Sequence, residues 1–150
     1  MNPLIPPPVI VIVIGTLMWA VNRTLPLGGL ESAWREPAAL ALLAAGMLLM
    51  LAAAVQFMLA KTTINPLRPS RASSLITTGV FAISRNPIYL ADLLILAAAA
   101  VWLGNALNAP LLALFVWIIN RFQITPEEHA LSARFGEAYA AYRARVRRWM

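Results

Sequence analysis

The chain has 150 residues, of which 61% are hydrophobic and 12% are charged. A soluble domain of this length leaves too much surface in water to hide so many apolar side chains, so the composition favours a single domain inside a membrane. Because the sequence contains no cysteine and one histidine, disulfides, thiolate metal sites and histidine metal clusters are excluded, and we expect no metal.

Charge-free apolar runs predict the membrane-spanning helices. The first run, 8–21, is rich in β-branched residues, but in so apolar a chain we interpret it as a short helix. The next, 37–60, has 24 residues and makes about 36 Å of helix, enough to cross a bilayer. The run 86–120 is too long for one span and has turn-forming residues at 104–110. The sequence therefore predicts an all-α membrane bundle with four spans, at 8–21, 37–60, 87–103 and 109–124.

Basic residues are divided unequally between the two sides that four spans define. Two of the twelve, Arg23 and Arg35, fall in loops on one side, and the other ten fall in 61–85 or after residue 120. The positive-inside rule then places both termini in the cytosol, for example of a bacterial inner membrane. We attribute the net charge of +6 to this topology and to membrane lipids as partners, and expect no nucleic-acid partner.

The polar tail at 126–148 has a helical pattern and predicts cytosolic amphipathic helices. Thr125 is predicted to be the N-cap, followed by Pro126 and two acidic residues in the first turn, where the helix dipole favours anions. An apolar stripe then repeats at spacings of three and four, which is typical of a helix lying in the membrane interface. The stripe consists of Leu131, Phe135, Tyr139, Tyr142, Val146 and Trp149.

Two polar segments flank the last two spans. Residues 78–89 read TGVFAISRNPIY, and residues 127–142 read EEHALSARFGEAYAAY. This pair, in this order, resembles the isoprenylcysteine carboxyl methyltransferase family, which is itself similar to the membrane phospholipid methyltransferases. The resemblance covers about residues 61–150.

The resemblance implies a methyltransferase that uses S-adenosyl-L-methionine without a Rossmann domain and methylates an amphiphilic acceptor, either isoprenylcysteine-like or lipid. The cofactor would lie at the cytosolic ends of the last spans. A charged sulfonium with an adenine calls for a carboxylate, backbone donors and aromatic walls, and the turn at Thr78 and Gly79 offers such donors. With Gly79, the candidate cofactor-binding residues are Leu75, Ile76, Phe81, Arg85, Asn86, Pro87, Tyr89, Glu127 and Glu128.

Two positions depart from the family pattern. Asn86 stands where the family has histidine, and an amide binds hydrogen-bond partners but cannot titrate. The arginine expected to bind the acceptor falls on Gln123, with Arg121 two residues earlier. Arg121 is therefore the candidate catalytic residue, although it could equally be a snorkelling residue that ends the fourth span.

Simpler interpretations stay open. Glu127 and Glu128 could be first-turn charges of a capped helix. The intramembrane acid Asp92 is interpreted as the partner of Arg85 or Arg121 in an ion pair. The alternative to an enzyme is a small membrane bundle whose basic C-terminal helix binds anionic lipid or a partner protein.

Overall fold

The computed structural model describes residues 5–25, 33–60 and 74–150, and helices are the only regular structure in them. The predicted linker at 26–32 and the basic segment 61–73 lie outside the described residues. The predicted all-α fold is confirmed. The described ranges contain the helices α1 (Pro7–Thr24), α2 (Arg35–Leu59), α3 (Pro87–Leu103), α4 (Asn108–Ile119) and α5 (Thr125–Arg145), with a 3-10 turn at Gly79–Ala82 and a π-helical turn at Asn120–Ile124.

Within the described residues, three helical stretches are long and apolar enough to cross a membrane. They are α1, α2 and the continuous run Asn108–Arg145, whose apolar part is α4 and whose α5 part is polar on average. Helix α3 has 17 residues, all of them apolar or aromatic except Asp92, and makes about 25 Å of helix, which is close to the thickness of the hydrocarbon layer. Large side chains such as Leu48 and Leu59 are more than half exposed on α2, as expected of surfaces that face lipid. The bundle is that of an integral membrane protein.

Helix α3 is the centre of the bundle and contacts α1, α2 and α4. Its approach to α2 is close at Gly46, where an added Cβ would lie 3.0 Å from the carbonyl oxygen of Ala91. A small residue at such a crossing lets two helix backbones meet, which is the usual packing device in membranes. On the other side, Ile14 and Met18 of α1 and Phe115 of α4 are buried in the core.

The predicted N-cap at Thr125 is wrong, because the backbone is already helical before Thr125 and continues into α5 without a break. Thr125 has helical dihedral angles, and its hydroxyl donates to the carbonyl of Asn120 at 2.8 Å. Pro126 lacks the N–H that a regular helix would donate to the carbonyl of Phe122, and the wider π turn lies immediately before it. Helices α4 and α5 are therefore joined without a loop, and π turns of this kind are frequent at functional sites.

The apolar stripe of α5 packs against the protein instead of presenting a free face to lipid. Helix α5 bends at Gly136, whose φ of 47° is in the left-handed region that favours glycine. Beyond the bend, Tyr139, Tyr142 and Val146 are buried, and Leu75 packs on them. The C-terminal helix thus closes over the segment that leads into α3.

Candidate active site

A cavity of about 320 Å³ lies where the segment 74–81 and the beginnings of α3 and α5 meet. This volume is within the roughly 300–1,000 Å³ of ordinary small-molecule sites. The two motif segments, far apart in the sequence, both contribute to its wall. Of the predicted cofactor-binding residues, the wall includes Leu75, Ile76, Phe81, Arg85, Asn86, Pro87, Tyr89, Glu127 and Glu128.

Gly79 is not among the lining residues, but it shapes the segment that is. Its φ is 57°, and an added Cβ would overlap the side-chain amide of Gln56, near the end of α2. With the Gln56 amide oriented to pair donor with acceptor, it donates to the carbonyl of Thr78 at 3.1 Å and accepts from the N–H of Val80 at 3.3 Å. The absence of a side chain at Gly79 therefore lets Gln56 of α2 bind this turn. The backbone N–H of Val80, a donor of the turn, is already engaged by Gln56.

Phe81 is fixed from two directions. Its ring meets that of Phe57 edge to face, with centroids 5.3 Å apart, and its carbonyl accepts a hydrogen bond from the hydroxyl of Tyr142 at 2.6 Å. Burial raises the pKa of that hydroxyl to about 12, so it stays a donor at neutral pH. The aromatic wall of the cavity is thereby tied to both α2 and α5.

The Arg85–Asn86 turn is held by the C-terminal tail. The backbone N–H of Arg85 donates to the carbonyl of Arg147 at 3.1 Å, and the Asn86 side chain donates to the carbonyl of Arg148 at 2.8 Å. Pro87 then begins α3 at the first helical position, where its missing N–H costs nothing. At the position where the family has histidine, Asn86 uses its amide to bind backbone.

Glu127 and Tyr89 form the pair that joins the two motifs. The Tyr89 hydroxyl donates to Oε1 of Glu127 at 2.5 Å, while Oε2 of Glu127 has no partner among the described residues. Burial raises the pKa of Glu127 to about 7, the hydrogen bond from Tyr89 opposes that rise, and the neighbouring Glu128 adds to it. The carboxylate is thus able to gain from a cation placed beside it in the cavity.

Glu128 has a different environment from its neighbour. It is 6% exposed, its Oε1 lies 3.1 Å from Nη2 of Arg85, and its Oε2 lies 2.7 Å from Nη2 of Arg148. Arg148 in turn donates to the side chain of Asn120 in the π turn at 3.4 Å. Glu128 therefore links α5, the Arg85–Asn86 turn and the tail, with both carboxylate oxygens occupied by guanidinium groups.

The structure places the predicted acceptor-binding residues elsewhere. Arg121 is exposed and is not among the lining residues of the cavity. Gln123 is buried, and its amide donates to the carbonyl of Ile5 at 2.6 Å, so it fixes the beginning of α1. The catalytic role of Arg121 stays a prediction.

Asp92 is part of the cavity wall, and the ion pair predicted for it is wrong. Within the described ranges, Asp92 has no ion pair, because Arg85 is engaged with Glu128 and Arg121 points to the exposed surface. Sequence reasoning identified Asp92 as a membrane acid but missed its place in the site.

Other residues of the site carried weaker signals or none. Pro7, Pro8 and Met50 complete the cavity wall from α1 and α2, and as apolar residues in apolar helices they cannot be distinguished in the sequence. Arg148 is one of several arginines in the tail, and the sequence does not indicate its contacts with Glu128 and Asn120.

Fold and cavity together define a helical membrane protein with a cavity of small-molecule size at one end of the bundle. The chain belongs to the phospholipid methyltransferase family, whose model matches residues 34–138. The resemblance expected from the two motifs is confirmed.

Individual relatives show the same likeness. An uncharacterized protein of Haemophilus influenzae is 46% identical over 63 residues, which is 42% of this chain and 100% of that protein. Protein-S-isoprenylcysteine O-methyltransferase B of Arabidopsis thaliana is 34% identical over 85 residues, or 57% of this chain and 43% of that enzyme. The Schizosaccharomyces pombe protein-S-isoprenylcysteine O-methyltransferase is 33% identical over 72 residues, 48% of this chain and 30% of that enzyme. The chain thus spans less than half the length of these two methyltransferases. No solved structure matches it significantly.

Proposed function

We propose that this protein transfers a methyl group from S-adenosyl-L-methionine to an amphiphilic acceptor, isoprenylcysteine-like or lipid, at the cytosolic face of a membrane. The observation that carries the proposal is the meeting of Glu127 with the Arg85–Tyr89 motif across one cavity. Membership of a methyltransferase family and similarity to two isoprenylcysteine O-methyltransferases support it.

The residues of the cavity fit this cofactor. Glu127 has a carboxylate oxygen without a partner among the described groups, suited to the ammonium of the methionine part. Leu75, Ile76 and Phe81 supply apolar and aromatic walls for an adenine. Near them, Nε of Arg85 is buried and has no hydrogen-bond partner in the described part of the chain, which leaves one donor for a polar atom of a ligand. When bound, the cofactor would supply a methyl group activated by a sulfonium.

The work left to the protein is positioning and exclusion of water. Tyr89 orients the carboxylate of Glu127, and the pairing of Glu128 with Arg85 holds the two motif segments at a fixed distance. Because methyl transfer is an in-line displacement, holding two reactants in a dry and shaped cavity can supply much of the rate. Pro8 and Met50, which lie on membrane helices, extend the apolar wall toward the lipid, where the tail of an amphiphilic acceptor would lie.

Thermal stability in detergent tests the proposal directly. S-adenosylhomocysteine at about 100 times its Kd should stabilise the native protein by about 2.7 kcal/mol, seen as a rise in melting temperature. Glu127→Gln should remove most of that rise, because the neutral amide lacks the charge that attracts an ammonium. Glu137→Gln, which makes the same chemical change at an exposed position of α5, should leave it intact.

Two results would contradict the proposal. One is a wild-type protein that S-adenosylhomocysteine does not stabilise, which would favour the non-enzymatic bundle that binds anionic lipid or a partner protein. The other is an equal ligand response in Glu127→Gln and Glu137→Gln, which would remove Glu127 from the binding site.

A further inference from the structure

A second cavity, of about 380 Å³, lies between α1 and α2 in the half of the bundle away from the candidate active site. One of its walls belongs to α1, the other belongs to α2, and α3 forms the floor. The residues that define these three surfaces are Gly15, Trp19, Leu40, Leu43, Ala99 and Trp102. Because every described lining residue is apolar, this α1–α2 groove suits a hydrocarbon chain and not water.

The length of the α1–α2 groove matches one leaflet of a bilayer. Along its floor the groove runs from Ile95, in the middle of α3, to Leu103 at the end of that helix. These two residues are separated by about 12 Å of helix, and one leaflet contributes about 15 Å to a hydrocarbon layer of about 30 Å. The groove therefore begins at the membrane surface and ends near the middle of the membrane, as the acyl chain of a lipid does.

Two arginines lie at the surface end of the α1–α2 groove. Cζ of Arg23 is 5.5 Å from the ring centroid of Trp19, which is part of the groove wall. Arg35 lies one turn before Ala39, another residue of the wall. Its Nη1 is so close to Gly104, at the end of α3, that an added Cβ there would lie 2.6 Å away. The two guanidinium groups thus lie where the three helices of the groove reach the membrane surface.

The charge of these arginines is available to a ligand. In the part of the chain that the structure describes, the ion pairs are those of Glu128, so neither Arg23 nor Arg35 is paired with a carboxylate. Glu36 lies in the first turn of α2 at the same end, but it is exposed and makes no ion pair among the described residues. Guanidinium groups form strong hydrogen bonds with phosphate, and basic residues beside a membrane span attract anionic lipids. An apolar groove with two arginines at its surface end therefore matches an anionic phospholipid in both charge and polarity.

We propose that the α1–α2 groove binds an acyl chain of an anionic phospholipid and that Arg23 and Arg35 bind the phosphate of this lipid. The lipid is a bound component of the bundle and not the methyl acceptor, because the groove and the candidate active site lie at opposite ends of α3. An acyl chain in the groove adds packing contacts for all three helices, so its binding stabilises the native protein. The inference goes beyond the proposed function and does not depend on it.

Two phospholipids with the same acyl chains and different net charge provide the test. Dioleoylphosphatidylglycerol and dioleoylphosphatidylcholine are added to the protein in neutral detergent, and binding is measured by native mass spectrometry and by the shift in melting temperature. Wild-type protein should bind one molecule of dioleoylphosphatidylglycerol, about ten-fold or more tightly than dioleoylphosphatidylcholine. Arg23→Gln and Arg35→Gln should each weaken this binding about five-fold, the loss expected for one basic side chain at a lipid head group. The double variant should bind the two lipids equally.

Matched variants separate a site in the α1–α2 groove from general charge effects. Arg145→Gln removes the same charge from an exposed position of α5 and should keep the wild-type preference for dioleoylphosphatidylglycerol. Ala99→Leu and Leu43→Trp fill the groove while both of its arginines remain, and each should abolish binding of the lipid. Because Leu43 is already 40% exposed, Leu43→Trp should fold even if Ala99→Leu disturbs the packing of the helices.

Several results would overturn the proposal. Equal binding of the two lipids by the wild type, or equal weakening by Arg145→Gln and Arg35→Gln, would show that no specific anionic head group is recognised. Undiminished binding of dioleoylphosphatidylglycerol in Leu43→Trp would place the acyl chain outside the groove. An equal rise in melting temperature with inorganic phosphate alone would show a site for anions without an acyl chain.

Discussion

The two ends of the bundle differ in how their buried polar side chains are satisfied. At the cavity end, Glu128 is paired with Arg85 and Arg148, and these contacts join residues 20 or more positions apart. At the opposite end, where α3 turns into α4, the buried polar side chains are asparagines. Asn105 holds the turn locally and donates to the carbonyl of Leu25 at 2.8 Å, but the amide of Asn108 has no partner within the described ranges.

The difference shows which end of the bundle depends on specific polar contacts. The turn between α3 and α4 needs little more than Gly104, whose φ of 67° ends α3 in the left-handed conformation. The cavity end must instead hold four segments around an open space, namely α1, α2, the segment from residue 74 into α3, and α5. Apolar packing alone would tend to close such a space. A network of ions and hydrogen bonds holds that space open, because it fixes distances that apolar contacts leave adjustable.

Among the substitutions that test this difference between the two ends, Glu128→Gln is expected to have the largest effect on stability. The side chain of Arg85 is 10% exposed, so removal of its partner leaves a buried cation uncompensated, which typically lowers the free energy of unfolding by about 3–5 kcal/mol. Thermal or denaturant unfolding in detergent measures the change. Arg148→Gln should be milder, because the side chain of Arg148 is 36% exposed and Arg85 still pairs with Glu128.

Equal losses in Glu128→Gln and in the exposed variant Glu137→Gln would show that the network does not stabilise the cavity end. The polar contacts that distinguish the two ends would then make no difference to the free energy of unfolding.

Much of the cavity was predictable from the sequence, because its parts are local patterns. Helices follow from long apolar runs. The resemblance to a methyltransferase family, which depends on the order of two motifs, implies the RNPIY segment and Glu127 as site residues, and the structure brings these residues to one cavity. The orientation of the bundle in the membrane, the cofactor and the acceptor stay predictions.

What the sequence did not reveal depends on contacts between distant residues. The role of Arg148 follows from a tail that folds back by more than 60 positions onto Asn86, and no local pattern encodes that return. The predicted cap at Thr125 failed for a related reason, since a Thr-Pro-Glu-Glu sequence looks the same at a helix start and inside a helix that passes through a π turn. Tertiary packing decided between the two.

A change of pH should alter both stability and ligand binding at the cavity end, because Glu127 there titrates near neutrality. Burial raises its pKa from the ordinary 4.5 to about 7, so without ligand the protonated form is favoured, and the stability this provides at low pH is lost as pH rises through about 7. Binding of S-adenosylhomocysteine should have the opposite dependence, since its ammonium needs the ionised carboxylate. Its affinity should fall about tenfold per pH unit below pH 7.

Melting temperatures between pH 5 and pH 8 measure both trends. Those without ligand report the stability of the protein, and the shift caused by S-adenosylhomocysteine reports the affinity. Glu127→Gln has no group to titrate at this position and should lose both. The same pH dependence in wild type and Glu127→Gln would mean that another group binds the proton.

The smallest effect is expected at the opposite end, from Asn108→Leu. Asn108 is 1% exposed, and its amide nitrogen and oxygen are both buried without partners among the described groups. Replacing an unsatisfied polar side chain with an apolar one of similar shape removes a desolvation penalty, so the free energy of unfolding should stay the same or rise by up to about 1 kcal/mol. The response to S-adenosylhomocysteine should not change, because α3 separates this turn from the cavity by about 25 Å. A loss of stability comparable to that of Glu128→Gln would show that Asn108 has a partner of its own, and that both ends of the bundle depend on specific polar contacts.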